Sequence, residues 1–187
     1  MLRQQRLLTS DQIGQITHTR QDSATSRPTR LQGATEEQIL TFFLKFTIEE
    51  RVARFGAATS DDAIRAWRDG LDRSHYVAVS LKQGHRIVGL VELFGSRLTG
   101  WQRPELALSI HGLQDKSRIR LHLLEIGLGA ARERGSRDVF FAFTSAENCM
   151  AAIARQYGGT LDHKAGMAVI PCGFVPMDGL SIWGGTV

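Results

Sequence analysis

The sequence predicts an α+β fold: a central mixed, mostly antiparallel sheet flanked by helices. Three observations predict it. Residues 76–110 contain three alternating or apolar runs parted by turn signals, as in an antiparallel meander. From Pro104 to Gly135 a strand pattern passes through a short basic loop into one long helical pattern. From Asp138 to Pro171 strand and helix signals then alternate. A meander followed by strand–helix–strand–helix–strand belongs to this class, and 187 residues are enough for one domain with a real core.

Taken in order, residues 1–27 are rich in Gln, Ser, Thr and Arg, with few large apolar residues after Leu8, and read as a polar N-terminal arm. Thr29–Gln32 is a short first strand. Thr35 with Gln38 forms a capping box for a helix through about Phe46. Thr47 with Glu50 repeats that logic for a short helix to about Arg54. Ser60 caps a helix over Asp61–Leu71, with Ile64, Trp67 and Leu71 on one face. Strands follow at Tyr76–Leu81, Arg86–Phe94 and Glu105–Ile110. Gln83-Gly84-His85 marks a hairpin, and Gly100–Pro104 reads as a longer connection.

At Ile119 the period changes. Ile119, Leu123, Ile126 and Ala130 recur at three and four, and Gly135 stops the helix after Arg132 and Arg134. Asp138–Phe143 is an apolar run suited to a strand buried on both faces. Ala146–Tyr157 is a helix ended by Gly158-Gly159. Thr160–His163 and Met167–Pro171 are the last strands, and the tail from Cys172 is irregular. The organisation expected is an arm at 1–27, a domain at 28–171 and a tail at 172–187.

Composition narrows the function classes. A net charge of +4 is modestly basic, but the arginines are dispersed and no aromatic-interleaved patch appears, which argues against a nucleic-acid partner. Neither a run of the ~18 apolar residues a membrane span needs nor an apolar signal core is present, so no membrane partner is expected and the cytoplasm is the default compartment. Cys149 and Cys172 read as two reduced thiols. The six histidines show no metal-ligand spacing, so no metal site is expected.

The stretch PELALSIHGLQDKSRIRLHLLEIGLGAARERG carries most of the functional signal. A strand feeding a helix N-terminus makes an anion site, because the first backbone N–H groups have no partner within the helix. Lys116, Arg118 and Arg120 add positive charge there. Cations at that end oppose the helix dipole, so their clustering asks for an anion. Ser117 reads as a helix cap or a phosphate contact.

ELALSI, the short loop and the helix ending AARERG resemble the core of the GNAT superfamily of N-acetyltransferases. FLKFTIEERVARF, HYVAVS, RIVGLVELF and DVFFAFTSAENCMAAIARQYG follow the family's order, and ARF with the later ENCM is similar to bacterial protein-lysine acetyltransferase domains. The resemblance covers roughly residues 28–171 and implies a GNAT (acyl-CoA N-acyltransferase) fold with acetyl-CoA as co-substrate. The partners it implies are acetyl-CoA and an amine acceptor, either protein lysine or small molecule; a homodimer is left open.

By that resemblance, Leu108, Ile110, Lys116, Ser117, Arg118, Ile119 and Arg120 fall at the cofactor-binding strand and loop. Both glycines of the family's loop, Gln/Arg-x-x-Gly-x-Gly/Ala, are arginines here. The general base falls on Glu105, whose carboxylate would take the proton of the attacking ammonium. Glu92, in VELF on the neighbouring strand, is a second carboxylate for the same cleft. The family's general-acid Tyr position falls on Ala154, and Tyr157 aligns with a core aromatic. The alternative function is a catalytically silent GNAT-fold binding or regulatory module.

Overall fold

A computed structural model of the chain describes residues 29–112, 116–142 and 148–173. Its strands are β1 (Thr29–Gly33), β2 (Tyr76–Gln83), β3 (Arg86–Ser96), β4 (Gly100–Ile110), β5 (Asp138–Ala142), β6 (Thr160–Asp162) and β7 (Met167–Pro171). Its helices are α1 (Glu36–Phe43), α2 (Ile48–Phe55), α3 (Asp61–Asp69), α4 (Lys116–Glu133) and α5 (Asn148–Gln156). The strands form one seven-stranded sheet in the order β1-β2-β3-β4-β5-β7-β6. Every pairing is antiparallel except β4 with β5. This is the mixed, mostly antiparallel sheet the sequence predicts. The arm and most of the tail lie outside the described residues.

Local chemistry sets the boundaries. Thr35 and Thr47 each close a full capping box, with the hydroxyl accepting from the N3 backbone and the N3 side chain accepting from the cap's own N–H. Ser60 caps α3 through Ala63 N–H. Gly135 adopts φ +77°, and Ser136 N–H returns to Ala131 C=O, which terminates the helical turns after α4.

Four expectations change. β3 and β4 run on to Ser96 and from Gly100, so the connection read at Gly100–Pro104 is strand. The register shifts between Phe94 and Ser96, and Pro104 falls in that irregular stretch, where its missing N–H costs no ladder bond. α4 is helical from Lys116 rather than from Ile119, so the backbone of Ser117 is already within the helix. β5 alternates rather than being buried on both faces. Val139 and Phe141 are in the core, whereas Phe140 is only partly buried because the layer of α1–α3 lies over β2 and β3. Phe143 and the first residues read into the last helix are outside the described residues.

The sheet divides the core in two. On one face Val91, Leu93 and Leu106 pack against Leu123, Leu124 and Leu128 of α4, with Met150 and Tyr157 completing the cluster. On the other, Leu90 meets Ile39, Phe43 and Ile64 of the α1–α3 layer. α4 lies close to the sheet at Gly127, where a Cβ would come within 2.7 Å of Leu106 Cδ1 and 2.8 Å of Val91 Cγ2.

Candidate active site

β4 and β5 pair in register at Glu105 and Phe140 alone. β4 then continues to Ile110, still paired with β3, while β5 is held by β7. Beyond Glu105 the β5-facing backbone edge of β4 therefore has no strand partner among the described residues. The two strands diverge into a cleft of ≈ 170 Å³. Residues 105–110 form one wall, Phe141, Ala142 and Met150 another, and Phe46, Glu50, Ala53 and Arg54 close it from above the sheet; Arg120 of α4 stands at it too.

Glu105 lines this cleft and is partly buried. Its carboxylate has no hydrogen-bond or ion-pair partner among the described residues. Glu92 shares its face, since Glu92 is opposite Ala107 and Phe94 opposite Glu105. The surroundings differ sharply. Glu92 is fully buried and is not among the residues lining the cleft. Arg54 Nε and Nη2 donate to its Oε2 at 3.0 and 2.8 Å. Tyr76 O–H donates to Oε1 at 2.7 Å. Ala78 and Ala107 flank Glu92 in the register, and their small side chains leave room for the guanidinium.

That guanidinium also lies 5.0–5.6 Å from the ring centroids of Phe43, Phe55, Trp67 and Phe94. Burial and the neighbouring carboxylate push the Tyr76 phenol far above its usual range, so it stays a donor. The expected sharing of the cleft by both carboxylates thus reduces to a shared face, with Glu92 engaged in a buried network.

The remaining sequence candidates separate. Leu108 and Ile110 line the cleft from β4. Arg118 is exposed on the first turn of α4, and Arg120 is partly buried at the cleft. Ile119 packs on the core under α4, where its Cγ2 lies near Gly89, and does not line the cleft. The side chains of Lys116 and Ser117 are outside what the structure describes. Tyr157 is buried and donates to Glu125 at 2.8 Å, as suits a packing role.

Three features were not visible in sequence. Arg54 reaches Glu92 across a separation of 38 residues. His111, just past β4, lies 2.9 Å from Glu50 and stacks on Phe46 at 5.6 Å. Ser109 lines the cleft with a buried hydroxyl. No periodicity or spacing signals these pairs.

No family model and no curated protein matches the chain by sequence. Solved structures do match. The GNAT domain of S. lividans PAT superposes with a TM-score of 0.56 at 18% identity, covering 77% of this chain and 89% of that one. A putative acetyltransferase from Salmonella typhimurium, solved with its cofactor acetyl-CoA, gives 0.56 at 11%, covering 76% and 91%. A cAMP-binding acyltransferase from Mycobacterium smegmatis gives 0.55 at 12%; this chain covers 46% of its length. The fold is that of the GNAT acetyltransferases. Among the described residues no helix is long and apolar enough to cross a membrane.

Proposed function

We propose that the chain is an acetyl-CoA-dependent N-acetyltransferase that moves an acetyl group to a primary amine by direct attack. The observation that carries this reading is the Glu105 carboxylate, without a partner among the described residues, where β4 and β5 part. A carboxylate free of ion pairs keeps its lone pairs for an incoming proton, which a general base requires. Glu105 takes the proton of the acceptor ammonium. The freed nitrogen attacks the thioester carbonyl, and the C–S bond breaks as the nitrogen gives up its second proton to water. Water returns a proton to the departing thiolate, so that the proton held by Glu105 is the net one released.

The cleft suits the co-substrate on its own features. The exposed backbone edge of β4 offers N–H and C=O groups to an amide-bearing arm. The N-terminal turn of α4 with Arg118 and Arg120 offers positive charge to phosphates. Glu92 acts in this reading as a positioning residue that fixes Arg54 in the cleft wall. The acceptor is a protein lysine or a small amine, and the compartment is the cytoplasm.

A silent binding module is the second reading. It is favoured by one observation: Arg120 lines the cleft in place of a glycine of the family's loop. Thermal shift separates the two first. Acetyl-CoA at 100 times its Kd should add about 2.7 kcal/mol of stability. Release of free thiol with a panel of primary amines follows, and Glu105→Gln should lower kcat/KM by roughly 10²–10⁴ with CoA affinity unchanged. Absence of a shift would sink the enzyme reading. A shift with no thiol release would favour the silent module.

A further inference from the structure

Ser109 lies on β4 four residues beyond Glu105, roughly 13 Å along the strand at about 3.3 Å per residue. That places it between the proposed base and the end of β4, in the direction of α4. The period of two puts its side chain on the face of Glu105 and Ala107, opposite Leu90 of β3. It lines the cleft and is 4% exposed. Its Oγ is the one buried side-chain oxygen or nitrogen without a hydrogen-bond partner among the described residues.

Other buried polar side chains are satisfied. Glu92 accepts from Arg54 and Tyr76, and Ser136 donates to the Trp101 carbonyl. A hydroxyl withdrawn from water with nothing to bond is unfavourable, and alanine at the same strand position would avoid that cost. The cost is offset once a molecule entering the cleft supplies the partner.

The chemistry of that molecule follows from what lies beside the hydroxyl. Beyond Glu105 the β4 edge has no strand partner toward β5 among the described residues, so an extended chain of secondary amides can hydrogen-bond along it as another strand would. Such a chain presents amide N–H and C=O groups next to Ser109. A hydroxyl can donate to one or accept from the other.

We infer that Ser109 Oγ is a hydrogen-bond contact for an amide of the pantetheine arm of the acyl-CoA, an inference that rests on the co-substrate reading above. The arm, and not the nucleotide end of the molecule, is its ligand. Ser109 therefore contributes to recognising CoA as distinct from a free nucleotide.

Calorimetric titration of the wild type and Ser109→Ala tests this. The probes are CoA and adenosine 3′,5′-bisphosphate, which keeps the nucleotide end and lacks the arm. The alanine variant should bind CoA about three- to tenfold more weakly, the range of one neutral hydrogen bond. Its affinity for the bisphosphate should equal that of the wild type. Its melting temperature without ligand should be unchanged or higher, since the unsatisfied hydroxyl is gone.

Equal CoA affinity in the two proteins overturns the inference and leaves the co-substrate reading intact. A lowered melting temperature, or equal weakening of both probes, makes Ser109 a structural residue and also overturns it. A wild type that does not bind CoA overturns the proposed function itself, and this inference with it.

Discussion

Two carboxylates occupy one face of the sheet, and what touches each divides their roles. Glu105 stands at the cleft without a partner among the described residues, whereas Glu92 is fully buried with both oxygens bonded. Removing one partner of a buried ion pair leaves the other charge uncompensated, at about 3–5 kcal/mol. Glu92→Ala should therefore cost that order of stability in a urea titration, because Arg54 keeps only 12% side-chain exposure. Arg54→Leu together with Glu92→Leu should recover part of the loss, since no charge remains buried. A Glu92→Ala variant of wild-type stability would remove the pair from the account of the fold. His122 is a second titratable case. Burial holds its imidazole below the ordinary 6.5, with Glu125 opposing and Arg118 assisting. Below about that pH the unfolded chain binds more protons than the folded one, so the contribution of His122 to stability falls as pH falls. Melting temperatures between pH 7.5 and 5 should decline less steeply in His122→Gln than in the wild type.

At the scale of elements, α4 contains two glycines in opposite situations. A Cβ on Gly127 would meet Leu106 and Val91 inside 3 Å, whereas one on Gly129 would meet nothing within 4 Å. Gly129→Ala should stabilise by about 0.5–1 kcal/mol, the helix penalty of glycine. Gly127→Ala should lose that gain and more, because the buried Leu106 and Val91 side chains, or α4 itself, must shift to admit the methyl. Denaturant midpoints of the two variants check this, and a stabilised Gly127→Ala would show that α4 packs less closely. Features of this kind mark what the sequence could and could not convey. Capping boxes at Thr35 and Thr47 and the stop at Gly135 are local, involving residues within a turn of one another, so they were legible. β4 was read five residues short because Pro104 suppresses a strand signal, yet it sits where the β3 ladder is already irregular. The position of Glu105 was legible through its motif. The surroundings of Glu92 were not, since Arg54, Tyr76 and four aromatic rings arrive from elements whose packing no periodicity encodes.

For the whole molecule, the decisive question is whether charge at one end of the sheet attracts the co-substrate or closes the site. The chain carries +4 overall. Arg118 sits on the first turn of α4 and is exposed, and Arg120 opens the second turn and stands at the cleft. Both lie in helical backbone, which arginine adopts without strain, so the left-handed freedom of glycine is not needed there. Phosphate recognition by these residues would run through side-chain charge. Affinity for CoA should then fall steeply with salt, because exposed pairs are screened within ~8 Å at physiological ionic strength. Arg118→Ala with Arg120→Ala should weaken CoA by about 1.5–3 kcal/mol for each charge-assisted bond lost. If the arginines instead obstruct the cleft, Arg118→Gly with Arg120→Gly should create or strengthen binding, and the salt dependence of the wild type should be shallow. Calorimetric titrations of the three proteins at two salt concentrations decide between these outcomes. Loss of affinity in both double variants, with a steep salt slope in the wild type, supports side-chain capture. Binding gained only in the glycine variant would transfer the chain to the silent-module reading, with Glu105 left as a carboxylate in a cleft closed to its co-substrate.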